Sequence, residues 1–159
     1  MPVLITGAAA AGAHRLQRTL GIPEVIFADQ EDLPKALFNQ TRFIQIPNGG
    51  SATFAHQLLT LCLDHSINMV FPLRRGELKP LSESKKLFEE YGIQIVIPDA
   101  EVLDALTHNS ASVGEEIIVL NQGMVLSGQF LELSDLPAEA GLFICSGNNY
   151  TDMKLFIID

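Results

Sequence analysis

The sequence predicts an α/β fold: an open, mostly parallel, Rossmann-like sheet with helices on both faces, followed by a small strand-rich C-terminal subdomain. Three observations favour it. Short apolar runs alternate with longer runs of helical periodicity, as in parallel strands joined by right-handed crossovers. The first apolar run ends in a glycine-containing turn that leads into a helix. Beyond residue 107, apolar runs separated by turn residues replace the helical pattern.

The first half of the predicted sheet starts at the N-terminus. Residues 3–6 are wholly apolar up to Thr6 and form the first strand, and the helix that follows ends at Gly21, a residue typical of helix C-termini. Residues 25–28 form the second strand, which ends at Asp29. After a loop with a short helical turn, residues 43–46 form the third strand.

The second half repeats this alternation. Ser51 is the expected N-cap of a long helix, and residues 69–71 form the fourth strand. A single helix is expected to carry both Leu78 and Tyr91, and residues 93–97 form the fifth strand, with a short helix after it. We expect these five strands to lie in the order 3-2-1-4-5.

The last part of the chain is of a different kind. Its apolar runs predict strands at residues 117–120, 124–126, 130–133, 142–145 and 155–158. We therefore expect two units, a Rossmann-like domain at residues 1–107 and a small strand-rich subdomain at residues 108–159.

Composition limits the class of partner. The chain has 19 acidic and 10 basic residues, a net charge of −9, and no run of Lys or Arg longer than two, so we expect no nucleic-acid partner and no anionic membrane surface. No apolar stretch approaches the roughly 18 residues of a membrane span, and no basic segment precedes the first strand. Cys62 and the second cysteine have no metal-ligand spacing, and the expected location is the cytoplasm.

The first candidate binding segment is the turn after the first strand. Gly7, Ala8 and Gly12 could bring backbone N–H groups close to a phosphate, and Asp29 could hold a ribose hydroxyl. The dinucleotide fingerprint G-x-G-x-x-G has Ala9 at its middle position here, which weakens that interpretation. The alternative is a tight strand-to-helix connection whose small residues serve packing.

The second candidate segment follows the fourth strand. Arg74, Arg75 and Glu77 lie at the expected topological switch point, where they could bind an anion together with a hydroxyl or an amine. The alternative is a solvated loop that caps the next helix. We predict no catalytic residue, no cofactor and no metal ligand, because the four histidines show no ligand spacing and no Ser/His/Asp grouping is present.

A family resemblance appears when these segments are taken in order. The runs VLITGAAAAGAHRLQRTL, EVIFADQ, FIQIP, HQLLTLCLDHSINMVFP and FEEYGIQIVIPDAEVLDAL, with Glu77 before the last, resemble the N-terminal domain of ATP-grasp ligases, in particular carbamoyl-phosphate-synthase-like and biotin-carboxylase-like members. The resemblance covers about residues 2–106. In that family the domain precedes a module that clamps ATP and magnesium and activates a carboxylate as an acyl phosphate.

The remaining residues resemble a degenerate start of that module. Cys145 stands where the family has a Lys or Arg that contacts ATP, and residues 107–109 read Thr-His-Asn where the family usually has an Asp-Lys pair. A cysteine cannot neutralise a triphosphate, so the resemblance implies a truncated relative with no ligase activity of its own. We expect such a protein to act as a small-molecule-binding or protein-binding module.

Two other functions stay open at this stage. The chain could be the N-terminal subunit of a split ATP-dependent carboxylate–amine ligase, with the catalytic partner on another chain, or a dinucleotide-binding Rossmann protein. We also expect a homodimer, because the strands at 142–144 and 155–158 would otherwise form a small sheet with an exposed apolar face or an exposed edge. The small-molecule ligand is not identified by the sequence.

Overall fold

The computed structural model describes residues 1–34, 36, 42–108, 116–121, 124–127, 140–145 and 154–158. Within these residues the elements follow in the order β1 (Val3–Ile5), α1 (Ala11–Leu20), β2 (Val25–Asp29), β3 (Arg42–Gln45), α2 (Phe54–Asp64), β4 (Met69–Phe71), α3 (Arg75–Glu83), α4 (Lys85–Glu90), β5 (Gln94–Ile95), α5 (Ala100–His108), β6 (Glu116–Asn121), β7 (Met124–Ser127), β8 (Gly141–Cys145) and β9 (Lys154–Leu155).

The first five strands form one sheet in the order β3-β2-β1-β4-β5, and every neighbouring pair is parallel. Val3 of β1 lies opposite Val25 of β2 and Met69 of β4, which fixes the register at the centre. The predicted fold class and strand order are confirmed. Strands β2 and β3 are added on one side of β1, and β4 and β5 on the other, so the carboxyl ends of β1 and β4 flank the topological switch point.

Helix α1 follows the glycine turn as the sequence predicts. It buries Ala13 and Leu16 and ends at Gly21, whose φ of 62° is left-handed and whose N–H donates to the Gln17 carbonyl. A left-handed cap favours glycine because other residues pay a steric cost there.

Two details of the other helices differ from expectation. Helix α2 starts at Phe54 with Thr53 at its N-cap, because Ser51 closes a turn by donating its N–H to the Asn48 carbonyl. The single helix expected over Leu78 and Tyr91 is divided into α3 and α4 by Ser84, at φ −98° and ψ 5°. Serine is a weak helix former, because its hydroxyl competes for backbone hydrogen bonds.

The later strands form a second, antiparallel sheet in the order β7-β6-β8-β9. The predicted strands at 117–120, 124–126 and 142–145 are present in it. In the run 155–158, β9 covers only its start, and Ile158 makes an isolated parallel bridge with Arg74 of the first unit. The run at 130–133 lies outside the described residues. The division at residues 107 and 108 stays a prediction.

Residues of both sheets share the apolar cores on the two faces of the parallel sheet. Leu4, on one face, packs in a cluster with Leu155 and Ile157 of the C-terminal segment, and Ile5, on the other, packs with Phe156 and Ile158. The apolar side chains at 142–144 and 155–158 are therefore buried within the chain. The expectation of an exposed apolar face is wrong. Strand β9 lies at the edge of its sheet, and the homodimer stays a prediction.

The sequence predicts no membrane-spanning segment and no metal-binding role for Cys62. In the part of the chain that the structure describes, no helix is long and apolar enough to cross a membrane. Cys62 is fully buried in α2, and burial raises the pKa of its thiol to about 12, so it stays protonated at neutral pH. The cytoplasmic location stays a prediction.

One close backbone contact fixes the loop between β3 and α2 against the start of α3. A Cβ at Gly49 would lie 2.6 Å from the backbone carbon and oxygen of Gly76 and 2.8 Å from the Glu77 nitrogen. Backbone atoms cannot move aside as a side chain can, so only glycine fits at residue 49.

We expect Gly49→Ala to lower the free energy of unfolding by about 1–3 kcal/mol, because the added methyl group pushes the loop away from α3. The measurement is urea unfolding followed by circular dichroism. The matched control is Gly76→Ala. A Cβ there would meet no heavy atom within 4 Å, and alanine is the better helix former by up to about 1 kcal/mol. Equal stability of the two variants would contradict the close approach.

Candidate functional site

The carboxyl ends of β1, β2 and β4 meet at one edge of the parallel sheet, and the candidate residues gather there. Asp29 ends β2, and Arg74 and Glu77 follow β4. Thr6 and Gly7 follow β1, which lies between those two strands. The site therefore has three strand ends beneath it and the first turns of α1 and α3 beside it.

A buried ion pair spans the end of β1. Arg74 Nη2 lies 2.8 Å from Asp29 Oδ1 and 2.9 Å from Oδ2, with the Asp29 side chain 0% and the Arg74 side chain 15% exposed. Asp29 Oδ2 also accepts a hydrogen bond from the Ala9 N–H at 2.9 Å. The Arg74 Nε is buried and has no hydrogen-bond partner among the described residues. Asp29 is thus committed to internal partners, and Arg74 keeps one unused donor.

A second buried group lies beside this pair. Thr6 Oγ1 donates to Glu77 Oε2 at 2.5 Å and accepts from the Leu73 N–H at 2.9 Å. Burial raises the pKa of the Glu77 carboxyl from 4.5 to about 7, and the Asp29 charge acts in the same direction. The hydrogen bonds from Thr6 and the Arg74 backbone, and the Arg74 charge, lower the pKa by less. Glu77 therefore carries a proton through the mildly acidic range.

The glycine turn is covered by the end of the chain. Gly7 has a φ of 70°, and a Cβ there would overlap Cδ1 of Ile158. At Gly12 a Cβ would lie 2.8 Å from Cζ of Phe156. Both glycines thus make room for apolar side chains of the C-terminal segment.

Three consecutive backbone donors of this turn, those of residues 8–10, already have partners. The N–H of Ala8 donates to the Ala28 carbonyl at 3.1 Å, that of Ala9 to Asp29, and that of Ala10 to the Gly7 carbonyl at 3.0 Å. A phosphate bound in this turn would need those N–H groups. The geometry favours the packing interpretation of the turn.

An open pocket of about 240 Å³ lies next to the ion pair. We call it the arginine pocket, and its lining residues are Gln30, Asn48, Gly49, Arg74, Arg75, Gly76 and Glu77. Asn48 Nδ2 donates to Gln30 Oε1 at 2.8 Å, so these two carboxamides form one wall. The start of α3 forms the opposite wall. A small ligand placed here would lie among the two arginines and the two carboxamides, next to Glu77, whose side chain is buried.

A larger pocket of about 650 Å³ lies between α3, α4 and the start of α5. Its charged lining consists of Glu83, Lys85, Lys86, Glu89, Asp99 and Glu101, four acids against two lysines. Lys85 Nζ is already bonded to the Ile97 carbonyl and to Asp99, each at 3.0 Å. The acids outnumber the lysines and Lys85 is already paired, so we assign no function to this pocket.

The structure divides the sequence-predicted candidates into two groups. Arg74, Arg75 and Glu77 line the arginine pocket, and Asp29 contacts it through Arg74. The turn residues Gly7, Ala8 and Gly12 lie instead under the C-terminal segment. Cys145 is described only through its strand pairing, and Asn109 lies outside the described residues.

Sequence reasoning missed three contributors to the site. Thr6 is a polar residue at the end of the otherwise apolar run 3–6, a signal that was available. Asn48 and Gln30 follow strand ends, where polar residues point into the switch-point crevice. In the part of the chain that the structure describes, no group of three or more His, Cys, Asp or Glu could hold a metal ion.

We expect Arg74→Met to lower the free energy of unfolding by about 3–5 kcal/mol, because it leaves the Asp29 carboxylate buried without its cation. Adding Asp29→Asn to this variant removes the unpaired charge and should restore part of the loss. Urea unfolding measures both variants. Arg18→Met, at an exposed position in the last turn of α1, is the control and should stay within about 0.5 kcal/mol of the wild type. A loss below about 1 kcal/mol for Arg74→Met would contradict the importance of the pair.

We expect the stability of the protein to fall between pH 4.5 and about 7 because of Glu77. In that window the unfolded chain has released the proton that the folded chain still holds, so unfolding becomes easier by up to about 1.4 kcal/mol per pH unit. The loss is complete once the pH exceeds the folded-state pKa of about 7. Glu77→Gln keeps an oxygen for the Thr6 hydroxyl and does not titrate. Urea unfolding at several pH values should therefore give a flatter profile for this variant, and an unchanged profile would overturn the assignment.

The comparisons with known proteins begin with the family model described as "PylC-like, N-terminal domain", which matches residues 4–96. No curated protein matches the chain. One similar solved structure is a "Biotin Carboxylase domain of single-chain bacterial carboxylase", at 20% identity and a TM-score of 0.47, covering 68% of this chain and 26% of that one. Another is glycinamide-RNase-transformylase T from Mycobacterium tuberculosis, at 15% identity and a TM-score of 0.51, covering 77% of this chain and 48% of that one.

The second likeness, with a TM-score of 0.51 at 15% identity, concerns the fold alone. The chain spans about a quarter of the first structure and about half of the second. The family match is stronger, since residues 4–96 are more than half of the 159-residue chain and include β1 to β4 with the candidate residues after them. The chain belongs to the PylC-like N-terminal domain family, which confirms its resemblance to the N-terminal, pre-ATP-grasp domain of ATP-grasp ligases.

Proposed function

We propose that this chain is the ligand-binding module of an ATP-grasp-related protein and binds a small carboxylate-bearing molecule in the arginine pocket. The observation that carries the proposal is the position of Arg74, Arg75 and Glu77 around one open pocket at the switch point of the sheet. Ligands of open α/β sheets bind at this place because loops from the central strands converge there. The module has no ligase activity of its own in this proposal.

The charges of the pocket favour an anion. Asp29 neutralises Arg74, and burial keeps Glu77 protonated below a pH of about 7, so these two carboxyl groups do not make the pocket negative. Arg75 adds an exposed guanidinium to the lining. The first turn of α3 adds the positive end of a helix dipole. A carboxylate suits this arrangement because an arginine fork binds its two oxygens together.

The size of the pocket favours a small ligand. Its volume of about 240 Å³ lies below the roughly 300–1,000 Å³ of pockets that hold drug-sized ligands. A molecule of amino-acid size is therefore a better match than a nucleotide. The carboxamides of Gln30 and Asn48 would bind its hydroxyl or amino groups.

The dinucleotide alternative has little support from this geometry. Both carboxylate oxygens of Asp29, the expected ribose contact, bind Arg74. Ile158 occupies the space above Gly7 that a pyrophosphate would need. A dinucleotide would have to displace a buried side chain and break a buried ion pair.

A second candidate function is the N-terminal subunit of a split ATP-dependent ligase. It is favoured by the coverage of the family match, which is confined to residues 4–96, and by the partial coverage of both solved structures. In that case the ATP-grasp module that carries out the reaction would be on a partner chain. Ligase activity that appears only when such a module is mixed with this chain would support it.

The test is a titration of the protein with acetate, glycine and inorganic phosphate, followed by NMR at constant ionic strength. We expect acetate or glycine to shift the amide signals of residues 74–77, with saturation. Arg75→Met should weaken this binding by at least tenfold, since a hydrogen bond to a charged group contributes about 1.5–3 kcal/mol. ATP with magnesium should bind with a dissociation constant above about 10 μM, roughly −7 kcal/mol.

The matched control is Arg18→Met, which removes an exposed arginine from the last turn of α1. The candidate site lies beside the first turn of that helix. Its affinity should equal that of the wild type. Binding that Arg75→Met leaves unchanged, or shifts that appear only away from residues 74–77, would move the ligand site elsewhere. An absence of saturable binding by all three probes would overturn the proposed ligand class.

A further inference from the structure

The loop that carries the two pocket arginines is bonded to the end of the chain. The Ile158 N–H donates to the Leu73 carbonyl at 2.8 Å, and the Arg75 N–H donates to the Ile158 carbonyl at 3.1 Å. Ile158 thereby makes a parallel bridge with Arg74, the residue between these two. The backbone on both sides of Arg74 is held by one residue of the C-terminal segment.

The side chain of Ile158 fixes this segment in place. Its Cδ1 lies where a Cβ of Gly7 would be, and its Cγ2 lies 3.4 Å from the corresponding position at Gly12. Ile158 is only 7% exposed and belongs to the same apolar cluster as Ile5 and Leu73. The isoleucine thus packs into a hollow that the two glycines leave open.

The loop at residues 73–75 is also held by contacts with residues at the ends of β1 and β2. Arg74 is anchored to Asp29, and the Leu73 N–H to Thr6 Oγ1. The contacts with strands β1 and β2 and the contacts with Ile158 act on the same three residues, 73–75. Removal of either set frees the backbone from which both guanidinium groups extend, and binding groups held less firmly bind ligands more weakly.

We propose that Ile158 is a positioning residue of the arginine pocket, through which the C-terminal segment holds Arg74 and Arg75 in the arrangement that binds a ligand. The proposal rests on the function proposed above for the pocket. Ile158 itself does not line the pocket, so it acts through the loop at residues 73–75. Docking of the C-terminal segment and ligand binding are then coupled, and each strengthens the other.

The test compares Ile158→Ala with Ile95→Ala. Ile95 is a matched control because it is the same residue type, is 2% exposed and belongs to β5, on the other side of β4 from β1. Both variants lose a buried side chain, but only the first removes the contact with Gly7. Hydrogen exchange of the Arg75 amide reports on the loop without any ligand, and acetate titration reports on the pocket.

We expect Ile158→Ala to speed exchange of the Arg75 amide by at least tenfold relative to the amides of β4, and to weaken acetate binding by about tenfold. Ile95→Ala should leave both quantities within twofold of the wild type. Ile158→Val, which removes only the Cδ1 methyl group, should give smaller changes in the same direction. This variant replaces Ile158→Ala in both measurements if the alanine variant does not fold.

The outcomes separate this inference from the proposed function. Unchanged Arg75 exchange in the Ile158 variants, or equal effects in Ile95→Ala, would overturn the positioning role. Faster Arg75 exchange with no acetate binding even in the wild type would support the control of the loop and refute the ligand class. Faster exchange with undiminished acetate affinity would show that the loop does not set the pocket, and would overturn the inference.

Discussion

The buried ion pair between Asp29 and Arg74 is the constraint on which the geometry of this site depends. It joins the end of β2 to the loop after β4 and passes over the end of β1, which lies between them. A buried carboxylate is tolerated only with a partner, so the loop has to stay where the guanidinium reaches it. The hydrogen bonds of Thr6 to Glu77 and Leu73 fix the same loop from below.

This constraint determines which part of the crevice can bind a ligand. The Asp29 carboxylate accepts hydrogen bonds from Arg74 and from the Ala9 N–H. Neither this carboxylate nor the Ala9 N–H is therefore available to a ligand at the glycine turn. Ile158 and Phe156 fill the space above the glycines. The open volume lies beside the pair, toward Asn48 and the start of α3. The open space at the switch point thus lies beside the ion pair, and apolar side chains cover the glycine turn.

The sequence predicted the parallel sheet and its strand order because both follow from local signals. Apolar runs, Gly21 as a helix cap and the alternation of strand and helix are visible within short windows. It also placed Arg74, Arg75 and Glu77 at the switch point. It did not predict that Asp29 and Arg74 pair with each other, because each was interpreted alone as a ligand contact. The division of one expected helix at Ser84 was missed because the apolar spacing continues across it.

The contact of Ile158 with Gly7 was beyond such reasoning for a different reason. It joins opposite ends of the chain, and a small residue in a strand-to-helix turn is equally compatible with a phosphate and with a packed side chain. In the structure, Leu155 and Ile157 belong to the apolar cluster on one face of the parallel sheet, and Phe156 and Ile158 belong to the cluster on the other face. Only this packing shows that the small residues of the turn make room for side chains.

The family match ends at residue 96, but the packing of the matched domain also depends on residues 155–158. The matched part supplies the sheet, the ion pair and the pocket walls, whereas the cover over the glycine turn comes from the last strand-like segment. Residues 155–158 are buried on both sides, so their dissociation would break two sets of apolar contacts. Their docking next to the pocket loop is therefore strongly favoured. The backbone from which Arg74 and Arg75 extend is therefore held both by the parallel sheet and by the C-terminal segment.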